Sequence, residues 1–146
     1  MTSRQPRYTV RTDGASRGNP GAAAIGVVIT DEAGAVLRQL GRRIGRATNN
    51  EAEYLALIAG LEAALGLGAT AIEARLDSEL VIRHLKGRYR IRSPHLRPLY
   101  NRALALLRRF ASVDMIAVPR AQNRNADALA NAALDGTEID YTRAPC

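Results

Sequence analysis

Residues 8–44 read YTVRTDGASRGNPGAAAIGVVITDEAGAVLRQLGRRI, and their alternation of apolar, small and turn-forming residues decides the fold. Tyr8–Thr12 alternates like a half-buried strand, and a glycine-rich stretch, Gly14–Gly21, follows it as a loop. Ala22–Thr30, small and β-branched, predicts a second strand, and Asp31–Gly34 a turn. Ala35–Ile44 predicts a third strand, paired to the second through that turn. Three consecutive strands predict an antiparallel meander.

Downstream the period changes. Tyr54, Leu57, Ile58, Leu61 and Leu65 recur at helical spacing, predicting a helix over Asn50–Leu65 with Asn50 as cap and Glu53 as the third residue of a capping box. Ala71–Leu76 predicts a strand and Ser78–Lys86 a short helix; Arg88–Pro94 is an arginine-rich loop. His95–Phe110 predicts a helix, Val113–Val118 a fifth strand, Pro119–Asn125 a loop and Ala126–Leu134 a last helix. Residues 135–146 read as an irregular tail beyond a core of about 7–134. Strand–helix–strand crossovers after a meander give an α/β fold. The expected sheet is mixed and five-stranded, the meander plus two parallel strands, flanked by helices in one domain spanning 1–146.

Composition limits the function. The chain has 146 residues, 47% of them hydrophobic, enough for one ordinary core and too many for intrinsic disorder. Its longest apolar run, Ala22–Ile29, is too short to span a bilayer, and MTSRQPRYTVRTDG carries no apolar leader segment, so a cytoplasmic domain with no membrane role is expected. The single cysteine, Cys146, excludes an internal disulfide framework and a multi-thiolate zinc site. The formal net charge is +7. Nine cations and no acid lie between Leu80 and Val113, while the remaining residues carry twelve cations and fourteen anions. All cations but Lys86 are arginine, the residue suited to forked phosphate contacts. Such a band points to a polyanion, most simply nucleic acid, although a merely solvated helix face also accounts for it.

Four acids, Asp13, Glu53, Asp77 and Asp127, fall at element ends. Each has an ordinary explanation alone: Asp13–Gly14 as a turn, Glu53 in a capping box, Asp77 and Asp127 at helix starts. In the expected sheet they share one end. Four carboxylates converging there repel one another unless cations bind, and all-oxygen ligands suit Mg²⁺ or Mn²⁺. Two such ions form the clamp used in phosphoryl transfer.

The stretches TDGASRGNPG, ATNNEAEYLALIAGL, LDSELVIRHLKG and VPRAQNRNADALANAAL resemble, in order, the four signature blocks of type 1 ribonuclease H. The resemblance runs from Tyr8 to Leu134. It implies an endonuclease that hydrolyses the RNA strand of RNA–DNA hybrids with two Mg²⁺ or Mn²⁺ ions, leaving 5′-phosphate and 3′-hydroxyl ends. It implies that Asp13 bridges both ions, that Glu53 and Asp77 hold the one near the leaving oxygen, and that Asp127 holds the other. It also implies that Asn19, Asn49, Asn50 and Glu79, with the backbone around Gly14 and Ser16, face the 2′-hydroxyls that mark RNA. Thr48 matches a position gripping a DNA phosphate; Arg88, Arg90, Arg92, Arg120 and Asn123 complete the expected substrate contacts. The partner is then the hybrid itself, bound by a monomer with no obligate protein partner.

Two departures stand out. The loop VPRAQNRNAD has no His where many bacterial relatives carry one, and Arg120 lies nearest that place. Arg88–Pro94 is short and the chain has no Trp, which resembles the handle-less branch. His84 and His95 read as helix-surface residues. The competing readings are a binding module without turnover, disfavoured by the full set of acids, and a DNA-cutting transferase of related fold, disfavoured by the asparagines.

Overall fold

The computed structural model describes residues 6–144. Residues 1–5 and Cys146, to which the expectations about a leader and disulfides refer, lie outside the described residues. Strands β1 (Arg7–Gly18), β2 (Gly21–Thr30) and β3 (Val36–Ala47) form the meander. Helix α1 (Asn49–Gly66) leads to β4 (Ala71–Leu76), then α2 (Glu79–Leu85), α3 (Arg97–Leu107) and β5 (Ser112–Ala117). A 3-10 turn at Arg120–Gln122 precedes α4 (Arg124–Leu134) and β6 (Ile139–Thr142). The sheet order is β5-β4-β1-β2-β3-β6, with β4 and β5 parallel to their neighbours and the other pairings antiparallel.

The helices divide between the two faces. On one, Tyr54, Leu57 and Leu61 of α1 are buried with Val10, Val27 and Ile72, joined by Ala103 and Leu106 of α3. Each fully buried large side chain is worth about 1.5–3 kcal/mol relative to exposure, which fixes α1 to the sheet and Glu53 with it. On the other face α4 lies almost on the backbone. A Cβ on Gly26 would stand 1.9 Å from the Ala126 carbonyl oxygen, so glycine is what allows the helix bearing Asp127 to approach.

Several boundaries differ from expectation for identifiable reasons. The glycine-rich stretch is strand, not loop: β2 pairs with β1 out to Gly18–Gly21, and the turn is confined to Asn19–Pro20. Asp13 therefore sits inside a strand rather than in a turn after one. Helix α1 is capped by Thr48, whose side chain accepts from the Glu51 amide at 3.1 Å while Glu51 Oε1 accepts from the Thr48 amide at 2.9 Å. The box thus uses Thr48 and Glu51, not Asn50 and Glu53, and Glu53 is left for other work. Ser78, not Asp77, caps α2. The tail is not irregular throughout: β6 pairs with β3 from Arg38–Thr142 to Gly41–Ile139, so the sheet has six strands. Ion pairs Arg38–Asp140 and Arg43–Glu138 accompany that ladder.

His84 also departs from expectation. It is 6% exposed, and its Nδ1 lies 2.9 Å from the Tyr54 hydroxyl. Burial holds its pKa below the ordinary histidine value. His95 is exposed in the turn before α3. No helix among the described residues is long and apolar enough to cross a membrane.

Candidate active site

β1 and β4 run parallel and side by side, so Asp13, just beyond their last registered pair, and Asp77, just past the end of β4, emerge together. α1 packs on β1 and β2 with Glu53 in its second turn. Carboxylate oxygens of Asp13, Glu53 and Asp77 lie within 4.8 Å of one another. Asp127, in the first turn of α4, lines the same open cleft of about 910 Å³ and helps to raise the Asp13 pKa.

Glu53 is set by β1. The Gly14 amide donates to Glu53 Oε1 at 2.5 Å, and a Cβ on Gly14 would lie 2.2 Å from the Ala52 carbonyl carbon. Strand and helix therefore meet without a side chain between them.

The acids are poorly compensated. Burial, with the charges of Glu53 and Asp77 added, pushes the Asp13 carboxyl up to about 10. Burial and the Asp77 charge push Glu53 up to about 7, against the Gly14 hydrogen bond, which lowers it. Asp13 is only 6% exposed, and the one cation within ion-pair range of an acid in the cluster is Arg120, 3.7 Å from Asp127, among the described residues. A hard divalent cation with oxygen ligands fits this donor set and relieves its charge.

The remaining expected residues divide. Ser16, Asn49, Glu79 and Arg120 line the cleft with Gly14. The Ser16 hydroxyl lies within hydrogen-bonding range of two carbonyls, Ala47 at 2.8 Å and Gly18, tying the β1 end to the chain entering α1. Asn19 Oδ1 accepts from the Asn49 amide at 3.1 Å, which brings the two asparagines together. Asn50 is exposed in the first turn of α1, and Thr48 is occupied as its cap. Arg88, Arg90 and Arg92 are exposed in the segment between α2 and α3 and do not line the acid cleft. Asn123 is not available to substrate: it is 0% exposed, and its Nδ2 donates to the Thr12 carbonyl at 2.8 Å.

Two contributors were not expected. Asn131 Nδ2 donates to Asp127 Oδ1 at 3.1 Å and to its carbonyl at 3.0 Å, one helical turn on; the (i, i+4) spacing was the available signal. Tyr89 supplies an aromatic to the arginine loop. It is 45% exposed, with the Arg83 guanidinium 5.2 Å from its ring centre.

The family model described as reverse transcriptase-like matches residues 11–133. The chain is 53% identical over 123 residues to ribonuclease HI of Halobacterium salinarum, covering 84% of this chain and 62% of the relative. It is 46% identical over 130 residues to a bifunctional protein of Mycobacterium tuberculosis, covering 88% of this chain and 36% of that protein. The chain thus spans about a third to under two thirds of these relatives' lengths. Among solved structures, the H. salinarum RNase H1 crystal structure superposes with a TM-score of 0.87 at 50% identity, covering 90% of this chain and 99% of that one. LC11-RNase H1 in complex with RNA/DNA hybrid superposes with a TM-score of 0.82 at 40% identity, covering 88% and 96%.

Proposed function

The chain belongs to the type 1 ribonuclease H family, and from that premise we propose that it is an endonuclease hydrolysing the RNA strand of RNA–DNA hybrids. The observation that carries this reading is the convergence of Asp13, Glu53, Asp77 and Asp127, from four separate segments, on one open cleft.

Asp13, Glu53, Asp77 and Asp127 would hold two divalent ions, Mg²⁺ or Mn²⁺. Bound ions supply Lewis acidity toward a phosphate and an activated nucleophile at neutral pH, so no covalent enzyme intermediate is needed. The chain itself orients the ligands: the Gly14 amide fixes one Glu53 oxygen, and the Asn131 amide fixes one Asp127 oxygen. Arg120, at the rim beside Asp127, offers a permanent positive charge to the departing phosphate. The products are a 5′-phosphate and a 3′-hydroxyl.

Strand choice falls to the rim where β1 meets α1. Asn19 Oδ1 accepts from the Asn49 amide, which joins the two asparagines at this rim, and Asn49, Ser16 and Glu79 stand along the cleft. Amide and hydroxyl groups that both donate and accept suit the 2′-hydroxyl that separates RNA from DNA. All four acids come from this one chain, which supports a single domain acting as a monomer without a protein partner. A cytoplasmic location accords with a hybrid substrate.

Matched RNA–DNA, RNA–RNA and DNA–DNA duplexes, incubated with Mg²⁺, Mn²⁺ or EDTA, test the reading. Cleavage confined to the RNA of the hybrid and abolished by EDTA is expected. Hybrid binding without cleavage, or cleavage of the DNA duplex, overturns it.

A further inference from the structure

Asn123 is the first residue flanking α4, and asparagine at that position ordinarily turns its side chain back to cap its own helix. Thr48 and Ser78 do so for α1 and α2. Asn123 does not: its Nδ2 crosses to the Thr12 carbonyl, 111 residues away in sequence, at 2.8 Å. The last registered pair of β1 with β4 is Arg11–Arg75, so Thr12 lies just where those strands part to make room for the acids. A few residues earlier in the same segment, the Val118 amide donates to the Leu76 carbonyl at 2.9 Å. Thr12 precedes Asp13, and Leu76 precedes Asp77. The segment Val118–Asn123 therefore holds the carbonyl immediately before each strand acid. It then delivers the fourth acid, because the Asp127 amide donates to the Asn123 carbonyl at 3.1 Å in the first turn of α4.

Stability alone does not account for Asn123. The residue is fully buried, yet its Oδ1 has no hydrogen-bond partner among the described residues. An apolar residue of similar size would avoid that orphaned acceptor but would strand the Thr12 carbonyl instead, so the amide is kept for its bond to Thr12 and not for its own satisfaction.

We infer that Asn123 is a positioning residue, which sets Asp127 against Asp13 by bonding the Thr12 carbonyl. It touches no substrate. The inference rests on the proposed role of the four acids. Groups that orient metal ligands from behind typically change metal affinity or activity by about 10–100-fold when removed.

The test is a double-mutant cycle of Asn123→Ala with Asp127→Asn, read by kcat, by KM for the hybrid, and by the Mn²⁺-induced rise in Tm without substrate. Expected for Asn123→Ala alone are a kcat loss of about 10–100-fold, a KM within about twofold and a smaller Mn²⁺-induced shift. In the Asp127→Asn background the same substitution should cost less than about twofold further. Asn123→Ser keeps a donor and should recover part of the loss; it carries the same cycle should the alanine variant not fold. Equal losses in both backgrounds, or a Mn²⁺-induced shift unchanged by Asn123→Ala, overturn the inference. Wild-type protein that does not cleave the hybrid overturns the functional reading instead, and the Mn²⁺ measurement still decides the role of Asn123.

Discussion

The Gly14 amide donates to Glu53 Oε1 at 2.5 Å, and the contact exists because Gly14 has no side chain. A methyl group there would meet the Ala52 carbonyl carbon at 2.2 Å, and a backbone atom within a helix cannot swing aside. Gly14→Ala should therefore push α1 from β1 and carry Glu53 with it. The expected cost is about 1–3 kcal/mol of stability, the usual range for forced overpacking. At temperatures where the variant is fully folded, kcat should still fall at least about tenfold, as for lost orientation of a metal ligand. Urea unfolding and single-turnover rates on the hybrid check the two parts; wild-type rates in a folded variant would refute the claim.

Much of the site was legible in the sequence, because each acid lies in or directly beside an element with a clear period. Which acid does what locally was not. In Thr48–Asn49–Asn50 any residue can cap a helix, and both Glu51 and Glu53 follow at plausible spacing; the Gly14 contact from across the fold is what separates them. Asn123 resembles a surface loop residue until the Thr12 carbonyl is seen above it. His84 lies in a seven-residue helix, too short for a period to reveal its buried side. β6 is four residues long and pairs with a strand about a hundred residues earlier, so no local pattern announces it.

Asp13→Asn should abolish cleavage and stabilise the metal-free protein. The sign follows from the Asp13 carboxyl, raised from 3.8 to about 10 in the folded state by burial and by Glu53 and Asp77. Below the unfolded value both states are protonated and there is no penalty. As pH rises toward the folded value, the unfolded chain has already released its proton while the folded chain has not, so stability falls. Metal-free wild type should lose stability from about pH 4 upward through this group, and Asp13→Asn should flatten that loss. At pH 8 the variant should exceed wild type by more than about 1.4 kcal/mol, the worth of one pKa unit. Thermal melts in EDTA across pH provide the check. Normal turnover by folded Asp13→Asn protein would remove the metal assignment.

Arg88, Arg90 and Arg92 stand outside the acid cleft, so their effect should lie in binding and not in the chemical step. If the band grips the hybrid through about six phosphates, affinity should fall on the order of a thousandfold between about 50 and 200 mM salt. Replacing the three arginines together with Ala should flatten that slope and raise KM more than it lowers kcat. Fluorescence-anisotropy titrations of a labelled hybrid in EDTA, over a salt series, measure the slope; an unchanged slope would make the loop a bystander.

Arg120 takes the place where a histidine could titrate, 3.7 Å from Asp127 and with its side chain 80% exposed. A guanidinium keeps its charge throughout the working range, so the help proposed for it toward a departing phosphate would be electrostatic and independent of pH. Neither histidine substitutes for it: His84 is buried against Tyr54, and His95 is exposed before α3, outside the residues lining the cleft. The pH dependence then belongs to the carboxylates, which must lose their protons to bind metal. With Glu53 raised to about 7 and Asp13 higher, the metal concentration needed for half-maximal rate should fall as pH rises from about 6 to 9. Arg120→Ala should slow turnover modestly at every pH and leave the shape of the curve unchanged. Arg120→His should add an inflection near pH 6.5, where an ordinary imidazole titrates, because the side chain enters the cleft at the rim. The measurement is the pH–rate profile of the three proteins at saturating metal. A profile reshaped by Arg120→Ala, or a near-neutral inflection abolished by His95→Gln, would place the proton chemistry elsewhere.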